Sequence, residues 1–214
     1  MIGVGTQPKE TLNKVRLDIR NIDEYLAERY MPGATVTTYE QNRLNMRALL
    51  QNDYGAEKDC SLTSITTLID YHIRHGREIQ EIYDKVEAIA KTHKYNGETY
   101  GTASLTIKKI LGEAYTSFGI TKPAKEKLFK NLGYDYTFIK TRIDTNTPLI
   151  LTMWNDGRDY YVNHSVTVIG YRTFLLEKDG KRLLRPTLMV YDNWFRTTGY
   201  LDFTRLGVIS SINY

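Results

Sequence analysis

Cys60 is the only cysteine of the chain, and it stands directly before apolar residues at 62, 65, 68, 69 and 73. That spacing predicts a helix, and Asp59 in front of it is a residue of N-cap type, so the helix begins at the thiol and stops near His75 and Gly76. Unpaired backbone N–H groups at a helix start carry partial positive charge and favour a thiolate, which lowers a cysteine pKa. The same position also suits a small apolar core residue. Two later segments weigh toward chemistry. In Asn163-His164-Ser165-Val166-Thr167-Val168-Ile169-Gly170-Tyr171, a β-rich run, His164 shares a face with Val166 and Val168 and offers a general base. In Leu188-Met189-Val190-Tyr191-Asp192-Asn193-Trp194, a second strand ends in an acid and an amide, either of which can orient the imidazole. A cysteine, a histidine and an Asp or Asn, far apart in sequence, are the nucleophile, base and orienter of acyl-transfer chemistry.

The order Cys60, His164, Asp192 and the string 163–171 resemble the papain-like cysteine peptidases, whose histidine opens a similar apolar strand ending in Gly-Tyr. Asp59-Cys60, the segment Thr147-Pro148-Leu149-Ile150-Leu151-Thr152-Met153 and Asp192 after a Val-Tyr strand are closest to the bacterial branch of bacteriocin-leader-processing (double-glycine) peptidases and their relatives. The likeness covers about residues 51–203. It implies an α+β papain-like fold, with a helical lobe carrying the nucleophile and an antiparallel β-sheet lobe carrying His164 and Asp192. It also implies a peptide or protein substrate, no cofactor, an oxyanion-binding glutamine, and a tryptophan shielding the histidine, here Trp194. The sequence departs from the pattern at two places. Six residues before Cys60 stands Tyr54, so either the intervening loop is longer and Gln51 takes the glutamine role or another group donates, and position 61 is serine where the leader-processing branch commonly has glycine. The same triad serves amidases, transpeptidases and acyltransferases on cell-wall or other peptides, and a degenerate domain of this kind binds peptide without cleaving it.

Period two puts Leu188, Val190 and Asp192 on one strand face and Met189, Tyr191 and Asn193 on the other. Asp192, on the face with leucine and valine, is therefore expected to orient His164, with Asn193 as the second candidate.

Composition bounds this reading. With 214 residues, 41% hydrophobic and 25% charged, the chain has the make-up of one globular domain. Twenty-nine basic residues against 25 acidic ones leave a net charge of +4 without a run of like charge, so nothing points to nucleic acid. One cysteine excludes an internal disulfide and a cysteine-rich zinc site. No stretch reads as a membrane span or signal peptide, and compartment and oligomeric state stay open.

Along the chain, residues 1–33 read as a polar tail and an amphipathic helix over 11–30, either packed on the domain or left from a pro-segment. A β-prone piece follows at 34–39, then an unassigned stretch over 43–50 and a loop over 51–58. Helices are expected over 78–92, from Ser104 to Gly119, and over 123–132, with a break at 97–101. Strands are expected over 134–139, 148–154, 164–174, 182–191 and, with interruptions, 199–214, and turns at 155–157 and Asp179-Gly180. Helices over 51–133 followed by strands over 134–214 make an α+β domain. His72, His75 and Glu78 are a weak metal trio that nothing completes. Tyr134, Tyr136, Tyr160 and Tyr161 either line a groove or fill half-buried strand positions.

Overall fold

A computed structural model describes residues 21–55, 59–95, 104–128, 132–153, 164–205 and 210–214. Its helices are α1 (Ile22–Tyr30), the single turn α2 (Gln51–Tyr54), α3 (Cys60–His72), α4 (Ile79–Thr92), α5 (Ser104–Ser117) and α6 (Leu132–Asp144). Its strands are β1 (Thr35–Arg43), β2 (Glu126–Leu128), β3 (Leu149–Met153), β4 (His164–Lys178), β5 (Lys181–Tyr191), β6 (Gly199–Asp202) and β7 (Ser210–Asn213). They form one seven-stranded antiparallel sheet in the order β2-β7-β3-β4-β5-β6, with β1 on β4. The architecture is α+β.

The core is built around α3, every residue of which from Cys60 to Asp70 is buried. A helix apolar or hydroxyl-bearing on all sides has no solvent face, and α3 accordingly packs on β3 and β4 on one side and on α4 and α5 on the other. In α4, Ile79, Ile82, Tyr83, Val86 and Ala90 repeat at helical spacing and turn inward. Strand β4 organises the sheet. Its first five residues pair with β3, and from Gly170 onward it pairs with β1, while β5 lies along its other edge. Gly170 sits at the changeover, where a β-carbon would lie 2.5 Å from the carbonyl oxygen of Asn42. The hairpin from β4 to β5 closes at Asp179 and Gly180, with φ of 49° and 73°, as a tight Asp-Gly turn requires.

The order of elements differs from expectation at two places. Residues 123–132 hold the short strand β2 rather than a helix, and 134–139 belong to helix α6 rather than a strand. The sheet therefore takes β1 and β2 from before residue 134, and the helices do not end there. Helix α6 forms because Asp135, Ile139 and Ile143, four apart, turn inward together, and that burial outweighs the β preference of its aromatic and β-branched residues. The stretch 44–50 is neither helix nor strand; its Leu44 N–H donates to the Ile169 carbonyl oxygen at 2.8 Å.

Helix α1 packs in a separate apolar cluster, with Ile22 and Leu26 against Phe174 and Leu176 of β4. The Tyr25 and Tyr30 hydroxyls donate to Asp202 at 3.1 and 2.5 Å. Phe174 lies ten residues along β4 from His164, so α1 docks about 30 Å from the histidine. This section of the N-terminal helix covers a distant end of the sheet. Residues 1–20, the break at 97–101, the turn at 155–157, Tyr160, Tyr161 and Asn163 lie outside the described residues.

Candidate active site

Cys60 is the first residue of α3 and His164 the first residue of β4, so both sit where an element begins. Asp59 does not cap α3 with its side chain; its carboxylate accepts the Tyr83 hydroxyl in the core. Ser165, the neighbour of His164, and Ser61 are the residues whose hydrogen-bonding groups act on the thiol. Helix start and strand start are thus brought together.

Strand β5 ends at Tyr191, so Asp192 and Asn193 fall just beyond it. Asn193 has φ of 65°, a left-handed backbone, and this breaks the alternation on which the two faces were expected to depend. Both side chains are buried instead of one. The imidazole Nε2–H of His164 donates to the backbone carbonyl of Asp192 at 2.8 Å. A carbonyl only accepts, so the ring proton belongs to Nε2 and the lone pair to Nδ1, the arrangement a general base needs. The Asp192 carboxylate accepts the N–H groups of Trp194 at 3.2 Å and Phe195 at 3.1 Å, which fixes the turn that presents this carbonyl. The Trp194 ring stacks on the imidazole with centroids 4.0 Å apart and planes at 23°.

Asn193 joins the pieces. Its amide nitrogen lies 2.9 Å from the Cys60 carbonyl, 3.0 Å from Ser64 Oγ and 3.0 Å from the Ser165 carbonyl. Its own carbonyl accepts the Gln51 N–H at 3.0 Å, which sets the buried Gln51 beside the same junction. The sequence marked Asn193 only as an alternative orienter. Its position as a tie between helix and strand depends on the positive φ, which no spacing reveals. Ser64, Thr152 and Ser165 carry no signal of their own in the sequence, although period two does put Ser165 on the face opposite His164, and Ser61 stands out there only as a departure from glycine.

The site is closed. Cys60 is 4% exposed, His164 2% and Asp192 0%, so solvent does not stabilise charge there. Burial pushes the Cys60 thiol above its ordinary value, opposed by hydrogen bonds from Ser165 and Ser61. This runs against the depression expected from the helix start. Burial likewise lowers His164 from 6.5 to about 4, opposed by the bond to Asp192. Both shifts favour the uncharged forms near neutral pH, a thiol at Cys60 and a neutral imidazole at His164.

The other histidines are engaged elsewhere. His75 Nδ1 lies 2.6 Å from Asp70 Oδ2, and the His72 ring sits between Tyr71 and Tyr115. Among the described residues, no group of three or more His, Cys, Asp or Glu side chains could hold a metal, and no helix is long and apolar enough to cross a membrane. Tyr136 packs against Tyr171 and Phe203 and shares a hydrogen bond with Thr173. The chain matches no protein-family model, no curated protein and no solved structure at a significant level.

Proposed function

We propose that the chain is a papain-like cysteine hydrolase acting on peptide bonds, with Cys60 as nucleophile and His164 as base. The observation that carries this reading is the junction itself. A lone thiol at a helix start is influenced by Ser165, the residue after His164 at the start of its strand, and the imidazole is hydrogen-bonded to Asp192 and covered by Trp194. His164 Nδ1 takes the thiol proton as sulfur attacks the substrate carbonyl and returns it to the leaving amine. Water then cleaves the thioester with the same imidazole as base. The Cys60 N–H and the Gln51 side chain stand as the oxyanion donors. No cofactor enters these steps, and the substrate is a peptide or protein.

The burial of Cys60 and His164 favours a second reading, a papain-like domain that binds peptide without cleaving it. A thiol-directed epoxide or iodoacetamide probe at neutral pH separates the two. A hydrolase labels at Cys60 faster folded than heat-unfolded, because only the folded site activates the thiol, whereas a binding domain with a buried, inert thiol labels faster once it is unfolded. Cys60→Ala should abolish hydrolysis of a peptide mixture while keeping the fold, and turnover retained in that variant would sink the assignment.

A further inference from the structure

Beneath Cys60 a row of hydroxyls runs across the sheet. Ser61 Oγ is 2.9 Å from Ser165 Oγ, which is 3.0 Å from Thr152 Oγ1, and all three side chains are buried. Thr152 and Ser165 are cross-strand partners, and Thr152 is also the partner of Ser211, whose buried hydroxyl has no hydrogen-bond partner among the described residues. An all-apolar layer would satisfy the packing between α3 and the sheet, so a connected hydroxyl row that starts at the residue after the only cysteine, and whose Ser61 and Ser165 act on its thiol, asks for a cause.

We infer that Ser61, Ser165 and Thr152 are positioning residues for the Cys60 sulfur, a hydroxyl chain whose protons point toward the sulfur when it is a thiolate and away when it is a thiol. The proton count closes in both states. Three hydroxyls hold three protons, and their two mutual bonds use two. With a thiolate, Thr152 donates to Ser165, Ser165 donates to Ser61, and the Ser61 proton goes to sulfur. With a thiol, S–H donates into the row, both mutual bonds reverse, and the Thr152 proton turns toward the strand partner that carries the open Ser211 hydroxyl. No hydroxyl changes its covalent proton; only rotors turn. The thiol proton itself leaves to His164. A sulfur hidden from water needs such donors, because burial alone holds it neutral.

The inference rests on the reading of Cys60 as nucleophile, but its test reads the sulfur directly. Ionisable groups on the elements around the thiol include Asp59 and Asp70 at the two ends of α3, Tyr83 of α4 bonded to Asp59, His164 on β4, Tyr191 and Asp192 at the end of β5, and the Asp53 and Arg196 pair. These are kept constant across the variants. Thiolate ultraviolet absorbance is titrated against pH, with Cys60→Ala as the blank, in the wild type, Ser165→Ala, Thr152→Val and Thr152→Ser. Ser165→Ala should move the midpoint up by about one unit, a tenfold loss of thiolate at a given pH. Thr152→Val does not reach sulfur and is close in shape to the native residue; it should move the midpoint in the same direction by less, and Thr152→Ser should restore it. Midpoints of Ser165→Ala and Thr152→Val equal to wild type overturn the inference. If Ser165→Ala does not fold, the contrast of Thr152→Val with Thr152→Ser decides. Unshifted midpoints with peptide turnover intact defeat this inference alone. Shifted midpoints in a chain that cleaves no peptide support it and defeat the peptidase reading instead.

Discussion

At Asn193 one amide nitrogen faces three acceptors, the Cys60 carbonyl, Ser64 Oγ and the Ser165 carbonyl. No other amino acid of that size donates from the same place. Asn193→Ala leaves buried acceptors without their donor and should cost about 1–3 kcal/mol in urea unfolding. Asn193→Asp should cost at least as much, since a carboxylate would face the two carbonyls with nothing to donate. Asp192 works differently, because His164 is held by its main chain and the carboxylate by the next two N–H groups. Asp192→Asn keeps an acceptor oxygen at that turn and should preserve most of the rate at which a probe labels Cys60. Asp192→Ala loosens the turn and should slow it. Equal, severe losses in Asp192→Asn and Asp192→Ala would instead make the carboxylate charge the orienting element.

At the scale of elements, β4 carries the argument, and Gly170 is where it can be broken. A methyl group there would meet backbone atoms of Asn42 and Arg43, which cannot swing aside as a side-chain tip can. Gly170→Ala should therefore destabilise the fold by about 1–3 kcal/mol, seen as a lower urea midpoint, with Cys60 labelling retained in the folded fraction. This glycine was legible in the sequence as part of a motif, but its reason, the change of partner from β3 to β1, was not. Helices α3, α4 and α5 were legible because their apolar residues keep one period over three or four turns. The hairpin at Asp179 and Gly180 was legible because turn chemistry is local. Helix α6 was not, since Tyr134, Tyr136, Thr137, Phe138 and Ile139 favour a strand one by one, and only their partners in the fold select the helical set. Likewise the positions of Cys60 and His164 at element starts could be read, whereas the hydrogen bonds of Asp192 and Asn193 depend on one left-handed residue after the strand has ended.

Over the whole molecule, the buried titratable groups set the pH range in which the fold holds. His164 and His72, at opposite ends of the core elements, are both lowered from 6.5 to about 4, by burial in each case and by Lys122 as well for His72. Between those two values the unfolded chain binds protons that the folded chain refuses, so stability is fully present above about pH 6.5 and falls as pH drops toward 4. For the fully buried His164 the depression corresponds to ~3 kcal/mol; His72 is more exposed and contributes less. On the alkaline side the sign reverses. Burial raises Cys60, Tyr83, Tyr115 and Tyr136, so the unfolded chain releases protons first and stability falls as pH rises past their ordinary values of 9.0 and 10.0. Urea midpoints across this range should trace a plateau near neutrality with losses at both ends. Carboxylates also titrate near the acid limit, so the decisive comparison is His164→Gln, whose amide N–H can take the place of Nε2–H toward the Asp192 carbonyl but has no proton to gain. Its acid slope between about pH 6.5 and 4 should be visibly shallower than wild type. An identical slope would show that His164 takes up its proton as readily folded as unfolded, and would remove the neutral imidazole from the resting site.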